Sequence, residues 1–296
     1  MNTAASAIGR VMAMARPAKI ATPARADVAA LAKPDAFDRW NAGVRAAGAV
    51  GDNVITIFDV IGEDFWTGGG VTVNRIDAAL RKIGGGDVEV HINSPGGDMF
   101  EGIAIYNRLL EHPGKITVKV LGLAASAASI IAMAGEERLI GPASFIMIHN
   151  CWVLAMGNRH DMAETAAFLA PFDEAMAGVY AERTGQDAKT VAAWMDAEAW
   201  MNGAVCVERG FATGLLSADA LKEDAAATAQ ARETNAVRQA EIQLCRSGST
   251  RTEARALLAK IKGTPGAAPN PGTPGAAVPA WLGAAAAAAE AIRPKQ

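Results

Sequence analysis

Residues 87–92 alternate in the manner of a half-buried strand and run straight into Asn93-Ser94-Pro95-Gly96-Gly97, after which a helical pattern extends from about residue 99 to 110 and stops at Pro113-Gly114. Two consecutive glycines behind Ser-Pro permit positive φ and a close backbone approach, so a turn of this kind can aim a peptide N–H at a ligand oxygen. It also reads as an ordinary strand-to-helix turn. The same alternation continues on both sides. Residues 53–58 read as a strand, and 71–83 as an amphipathic helix with Val73, Ile76, Ala79, Leu80 and Ile83 on one face. Residues 116–121 read as the next strand, from which Gly122 is expected to turn the chain into a small-residue, apolar helix over 124–134 that must be buried on most sides. Residues 145–148 form a further strand ending at His149. Such alternation indicates an α/β fold with mainly parallel pairing. In sheets of that kind functional groups gather at the carboxyl ends of strands, where the Gly96-Gly97 turn, Ser126 and His149 all fall.

Four zones follow along the chain. Residues 1–35 are a basic, Ala/Pro-rich arm, expected to be disordered or a propeptide. Residues 36–217 hold the strand and helix signals. Residues 218–262 read as a polar helical extension, and residues 263–296 as a Pro/Gly/Ala-rich low-complexity tail, in which Gly263-Thr264-Pro265-Gly266 recurs loosely as Gly272-Thr273-Pro274-Gly275. A helical stretch over 159–184 carries Pro171, which is expected to kink it or to start a new helix. Gly185-Gln186-Asp187 then turns the chain into a short helix through Trp194.

Composition narrows the function classes. About half of the 296 residues are hydrophobic, ample for a buried core. A net charge of −3 argues against a general nucleic-acid binder. The longest apolar stretch, residues 118–134, is interrupted by Lys119, Gly122 and two serines, so no membrane span is expected. The N-terminus lacks the compact apolar core of a secretory signal, which points to the cytoplasm. Cys151, Cys206 and Cys245 form no CxxC pair, and neither a disulfide framework, a zinc site nor any other metal or cofactor site is expected. Cys151 follows His149 closely enough to raise a Cys–His pair, but on an apolar run it reads as a small buried side chain.

A serine hydroxyl becomes a useful nucleophile only when a base takes its proton and donors receive the charge on the attacked oxygen. Ser126 lies at a strand-to-helix junction among alanines that leave room for a substrate backbone, with free amides and a positive dipole end nearby. The plainer alternative is a small polar residue in a buried Ala-rich helix, which is how Ser129 must be read if Ser126 is catalytic. Of the four histidines, His91 sits on a strand with polar neighbours, His112 at a helix end beside Pro113, and His160 in a polar turn. Only His149 follows a wholly apolar strand, where a general base would be held rigidly. A structural histidine is the alternative.

Three stretches in order, "INSPGGDMFEGIAIYNRL", "VLGLAASAASIIAMAG" and "FIMIHN", followed by "WMNGAVCVERGFATGLL", resemble the Clp protease family of serine peptidases over roughly residues 50–217. The resemblance implies a Clp/crotonase-like spiral of β-β-α units with a helical handle, matched by residues 157–186. It implies Ser126 as nucleophile, His149 as base, and the amides of Gly97 and Ala127 as the oxyanion hole. The family's aspartate is replaced in "DAEAWMNGA" by Glu198, with Asp196 two residues earlier as the alternative third member; glutamate orients histidine in other triads. Peptide or protein substrates and a homo-oligomeric ring or stacked rings follow, with no nucleic acid and no membrane; no nucleotide-binding loop occurs, so any AAA+ unfoldase would be a separate protein.

The flanks, with "RTEARALLAKIKGTPGAA" and the "EAW" variant, resemble the head-maturation proteases of tailed phages and prophages, which implies processing of capsid and scaffold proteins in the bacterial host cytoplasm, within a prohead. Two other readings stand beside a serine endopeptidase: a catalytically weak, ring-forming assembly platform, left open by Glu198 and the long tail, and a crotonase-type acyl-CoA enzyme, which has no need of a serine–histidine pair at these places.

Overall fold

A computed structural model describes residues 34–262 apart from 49, 50, 154 and 156; the expected arm up to residue 33 and the tail from 263 lie outside the described residues. At its centre is a seven-stranded sheet built on β2 (Val54–Ile57), β5 (Val88–Ser94), β6 (Ile116–Ala125), β7 (Glu137–Ile140), β8 (Phe145–Met147), β9 (Trp200–Asn202) and β10 (Gly214–Leu215). The path β10-β7-β6-β5-β2 is parallel throughout. This is the α/β class that the strand–helix alternation implies. Val90, Ile92, Val118 and Val120 are buried on it, with Ile105 and Leu109 of α3 (Met99–Leu110) and Ile76 and Leu80 of α2 (Val73–Ile83) in the same core. Asp98 caps α3, its carboxylate accepting from the amides of Phe100 and Glu101.

Strand β6 changes partner along its length, and this positions the site. Thr117–Val120 pair with β7, whereas Leu123, Ala124 and Ala125 pair with Phe145, Ile146 and Met147 of β8. The strand therefore does not turn at Gly122, as the sequence pattern suggests, but runs on to Ala125, and the helix that follows is only α4 (Ala127–Ala132). Gly122 serves close packing instead: a Cβ there would meet Asn93 Oδ1 at 2.7 Å, and that same oxygen accepts from Leu123 N at 3.1 Å. Every residue of α4 is buried. Gly102 of α3 allows its close approach, since a Cβ on it would lie 2.9 Å from the Ala127 Cβ.

Pro171 lies inside one continuous helix, α5 (Arg159–Thr184), neither ending it nor starting another. Gly185 closes α5 in a left-handed conformation, and Asp187 caps α6 (Ala188–Asp196). Strand β9 then pairs antiparallel with β8, and α7 (Gly203–Glu208) leads to β10.

The segments flanking this core join one another against it. Helix α1 (Pro34–Arg39) precedes β1 (Val44–Ala46), which pairs with β11 (Leu221–Glu223). Ala36, Phe37, Trp40 and Ala42 form one apolar cluster with Leu123, Ala125, Met147 and Ile242. Residues 225–262 form α8 (Ala225–Arg246) and α9 (Arg251–Lys262), whose Val237, Leu244, Ala254 and Leu258 pack together. Two charged side chains of α8 are buried, and both are paired, as burial of charge requires. Glu241 accepts from Trp66, Arg251 and Arg255. Arg238 donates to Asp59 and to Asp64, the latter on the hairpin of β3 (Gly62–Asp64) and β4 (Gly69–Val71). Burial alone would raise the Asp64 carboxyl; hydrogen bonds from Arg238 and Thr67 and the guanidinium charge outweigh it and hold the group below its usual range.

Candidate active site

Ser126 stands between the end of β6 and the start of α4, with φ 54° and ψ −126°. Ser126 and Glu198 are the only non-glycine residues with positive φ among the described residues. Such conformations cost on the order of 1–3 kcal/mol each and gather where a side chain must be aimed. The surroundings determine Ser126 from both sides. Its N–H donates to Met147 O at 2.9 Å, continuing the β6–β8 ladder, while its carbonyl accepts from Ser129 N at 2.9 Å and Ser129 Oγ at 2.5 Å. Ser129 in turn lies 2.7 Å from the hydroxyl of Tyr180, a fully buried side chain of α5. Ser129 thus has the buried structural place expected of it, and Ser126 Oγ is left pointing elsewhere.

It points at His149. The Nε2 of that ring lies 2.8 Å from Ser126 Oγ, a hydrogen-bond distance. His149 is 7% exposed and directly follows Ile148, whose N–H bonds to Ala199 O at 3.2 Å. The other histidines are engaged elsewhere: His91 with Glu89, and His112 Nε2 with Gly86 O at 2.7 Å, while His160 is exposed at the start of α5. Cys151 donates its amide to Asp173, and its sulfur lies against that of Met99. Burial, then the Asp173 carboxylate, push its thiol well up, so it is a poor thiolate. Burial likewise pushes Cys206 up to about 12.

The two candidate acids have different places. Asp196 Oδ1 accepts from Asn150 Nδ2 at 2.7 Å. Glu198 occupies the left-handed position just past the C-terminus of α6, with φ 50°. Its N–H bonds to Met195 O at 3.0 Å and Ala199 N–H to Trp194 O at 3.0 Å, the paired closure in which glycine is the usual residue. The β8–β9 ladder ends at Met147↔Trp200, two residues before His149 on one strand and two residues after Glu198 on the other.

The glycine turn closes the site. Gly96 O accepts from Ile61 N at 2.9 Å, and Asp98 N donates to Ile61 O at 3.0 Å. A trans peptide directs its carbonyl and N–H to opposite sides, so the Gly97 N–H points away from Ile61. Gly96, at φ 87°, lies directly on the Ser126 backbone: a Cβ there would sit 2.7 Å from Ser126 Cβ and 3.2 Å from Ala127 N. Only glycine permits this approach. Sequence reading did not find the supports behind the turn. Ser94 Oγ donates to Asp59 O at 2.6 Å and accepts from Gly96 N at 3.2 Å. Ser94 lies within the quoted motif, but nothing in the pattern marks Asp59 or Ile61 as its partners. No group of His, Cys, Asp and Glu able to hold a metal, and no helix long and apolar enough to cross a membrane, occurs among the described residues.

The profile of the Clp protease family matches residues 79–219. The chain is 35% identical over 115 residues to the ATP-dependent Clp protease proteolytic subunit of Pleurastrum terricola, and the match covers 38% of this chain and 59% of that protein, less than two thirds of its length. It is 30% identical over 145 residues to the ATP-dependent Clp protease proteolytic subunit of Bacteroides fragilis, covering 47% of this chain and 70% of that protein. The chain belongs to the Clp protease family. A mutant ClpP1 from Listeria monocytogenes is similar in structure at 19% identity and a TM-score of 0.48, over 60% of this chain and 95% of that one.

Proposed function

We propose that this chain is a serine endopeptidase in which Ser126 attacks the scissile carbonyl, His149 takes and returns the proton, and Glu198 orients the imidazole. The observation that carries the reading is the 2.8 Å approach of His149 Nε2 to the hydroxyl of a serine held at positive φ. With Nε2 unprotonated, the hydroxyl donates to it and the proton passes there as the Oγ–C bond forms. The carbonyl oxygen then carries the negative charge, and the amides of Gly97 and Ala127 receive it. His149 gives its proton to the leaving amine, and water, activated by the same ring, releases the acyl group.

Glu198 is preferred to Asp196 because it keeps a left-handed backbone where glycine would be easier, and because it lies two residues before Trp200, the ladder partner of Met147, which itself lies two residues before His149. Glu198→Gly is therefore expected to leave the folding stability unchanged or raised by up to about 1 kcal/mol, while turnover falls roughly 10²–10⁴-fold. Asp196→Asn should change turnover only a few-fold. Fluorophosphonate labelling followed by peptide mapping tests the whole assignment: label on Ser126 that is lost in His149→Ala supports it. Label elsewhere, or an equal loss in Asp196→Asn and not in Glu198→Gly, overturns the roles assigned.

The substrates and assembly are proposed in the same spirit. Much of the N-terminal half of α5 is exposed although it carries Met162, Ala163, Ala166 and Ala167, which suits a surface covered in a homo-oligomeric ring. The flanking-sequence resemblance supports capsid and scaffold proteins of a phage prohead as substrates. Sedimentation of the purified chain should give a multiple of its 30.5 kDa mass, and a co-expressed prohead should show Ser126-dependent trimming of its scaffold. A monomer, or scaffold processing that survives Ser126→Ala, would remove this part of the reading.

A further inference from the structure

Two attachments of the glycine turn lead to the same short segment. Ile61 pairs with it through Gly96 O and Asp98 N, and Ser94 Oγ ties Gly96 N to Asp59 O. Residues 59–61 thus form the platform on which the Gly97 amide is aimed. A Cβ on Gly97 would lie 2.2 Å from Ile61 O, so platform and turn are in direct contact.

That platform is held by α8. Arg238 holds the first residue of the segment and the end of β3 that follows it: one terminal nitrogen lies 2.7 Å from Asp59 Oδ1 and 2.8 Å from Asp64 Oδ2, and its Nε lies 3.4 Å from Asp64 Oδ1. The other terminal nitrogen donates to Asn235 Oδ1 at 2.9 Å on the same helix. The guanidinium is 5.9 Å from the rings of both Phe37 and Trp40, and Trp40 Nε1 donates to Asn93 O at 3.0 Å, one residue before Ser94. Arg238 is therefore enclosed, 6% exposed, and two of the groups around it, Asp59 and Trp40, bond to the chain leading into the turn. A buried ion pair is a weak source of net stability, because desolvation offsets the attraction. What a planar, multiply bonded guanidinium supplies is fixed geometry. Arg238, Asp59 and Asp64 all lie outside the span matched by the family profile, residues 79–219.

We propose that Arg238 is a positioning residue: resting on the serine-peptidase reading above, it sets the oxyanion-binding turn by clamping Asp59 and Asp64, which makes α8 a working part of the active site. Oxyanion donors act in the transition state and not in ground-state binding, so misplacing one lowers kcat and leaves KM nearly constant. The test uses the full chain carrying Arg238→Met, with Asp59→Asn as a milder variant that leaves the Arg238–Asp64 pair intact. Amide hydrogen exchange is followed on peptides covering residues 93–100 and 116–125, well below the melting temperature, together with fluorophosphonate labelling and peptide turnover.

Faster exchange at residues 96–98 in both variants, with β6 protection retained, and a roughly 10–100-fold fall in labelling rate and kcat at constant KM, is the expected result. Arg238→Lys should fall between Arg238→Met and the parent, since an ammonium cannot span both carboxylates in the same geometry. Unchanged exchange at 96–98, or a lowered melting temperature with parental kcat, overturns the proposal and leaves the peptidase reading standing. A loosened turn in a parent protein that fluorophosphonate never labels would instead overturn the peptidase reading on which the proposal rests.

Discussion

Ser126→Ala is expected to abolish fluorophosphonate labelling and to lower kcat/KM for a fluorogenic peptide by on the order of 10⁴–10⁶, with the melting temperature within about 3 °C of the parent. On the proposed mechanism, the activity loss follows from removing the hydroxyl that lies 2.8 Å from His149 Nε2. The small stability change follows from what remains. The alanine variant would keep the backbone bonds to Met147 and Ser129, and serine and alanine tolerate φ 54° equally badly, so no strain is relieved or added. His149→Ala should cost nearly as much, and the double variant scarcely more than either, because the two groups act as one unit. Independent, additive losses would mean that the hydroxyl and the imidazole do not work together. Ser126→Gly sharpens the point: glycine relieves the positive φ, so a protein at least as stable as the parent but inactive separates function from folding.

The placement of the turn, Ser126 and His149 is legible from local patterns, whereas their roles come from the resemblance of the ordered motifs to the Clp protease family. Apolar alternation ending at a glycine turn, at Ser126 and at His149 puts all three at the carboxyl ends of neighbouring parallel strands, and pairing of β6 with both β5 and β8 brings them together. Ser126 and His149, 23 residues apart, meet for that reason. Legibility fails where tertiary packing overrides a local signal. Gly122 looks like a turn, but the space it vacates is filled by Asn93, and the strand continues. Pro171 could kink a helix or start a new one, and it starts none here, since α5 runs through it. The polar pattern of residues 218–262 conceals how firmly they are held. Hydrophobic periodicity cannot report a buried Arg238 or Glu241, since their burial depends on partners at Asp59, Asp64 and Trp66, more than 170 residues away.

Gly96→Ala should sharply lower activity. Its Cβ would sit 2.5 Å from Ala125 O and 2.7 Å from Ser126 Cβ, on residues whose backbone is held by β8. The turn must then retreat from Ser126, carrying the Gly97 amide with it, and the left-handed φ of 87° adds its own cost. A fall of roughly 10²–10³-fold in kcat is expected from loss of one oxyanion donor, with destabilisation of about 1–3 kcal/mol. Gly185→Ala is the matched control. It too has a left-handed φ, 72°, but nothing lies within 4 Å of its added Cβ. It should lose about 1 kcal/mol of stability and none of its turnover below the melting transition. If the two variants lose activity alike, backbone strain alone accounts for the effect, and the turn's approach to Ser126 has no catalytic meaning. If Gly96→Ala alone loses it, the contact between turn and nucleophile is what the two glycines preserve.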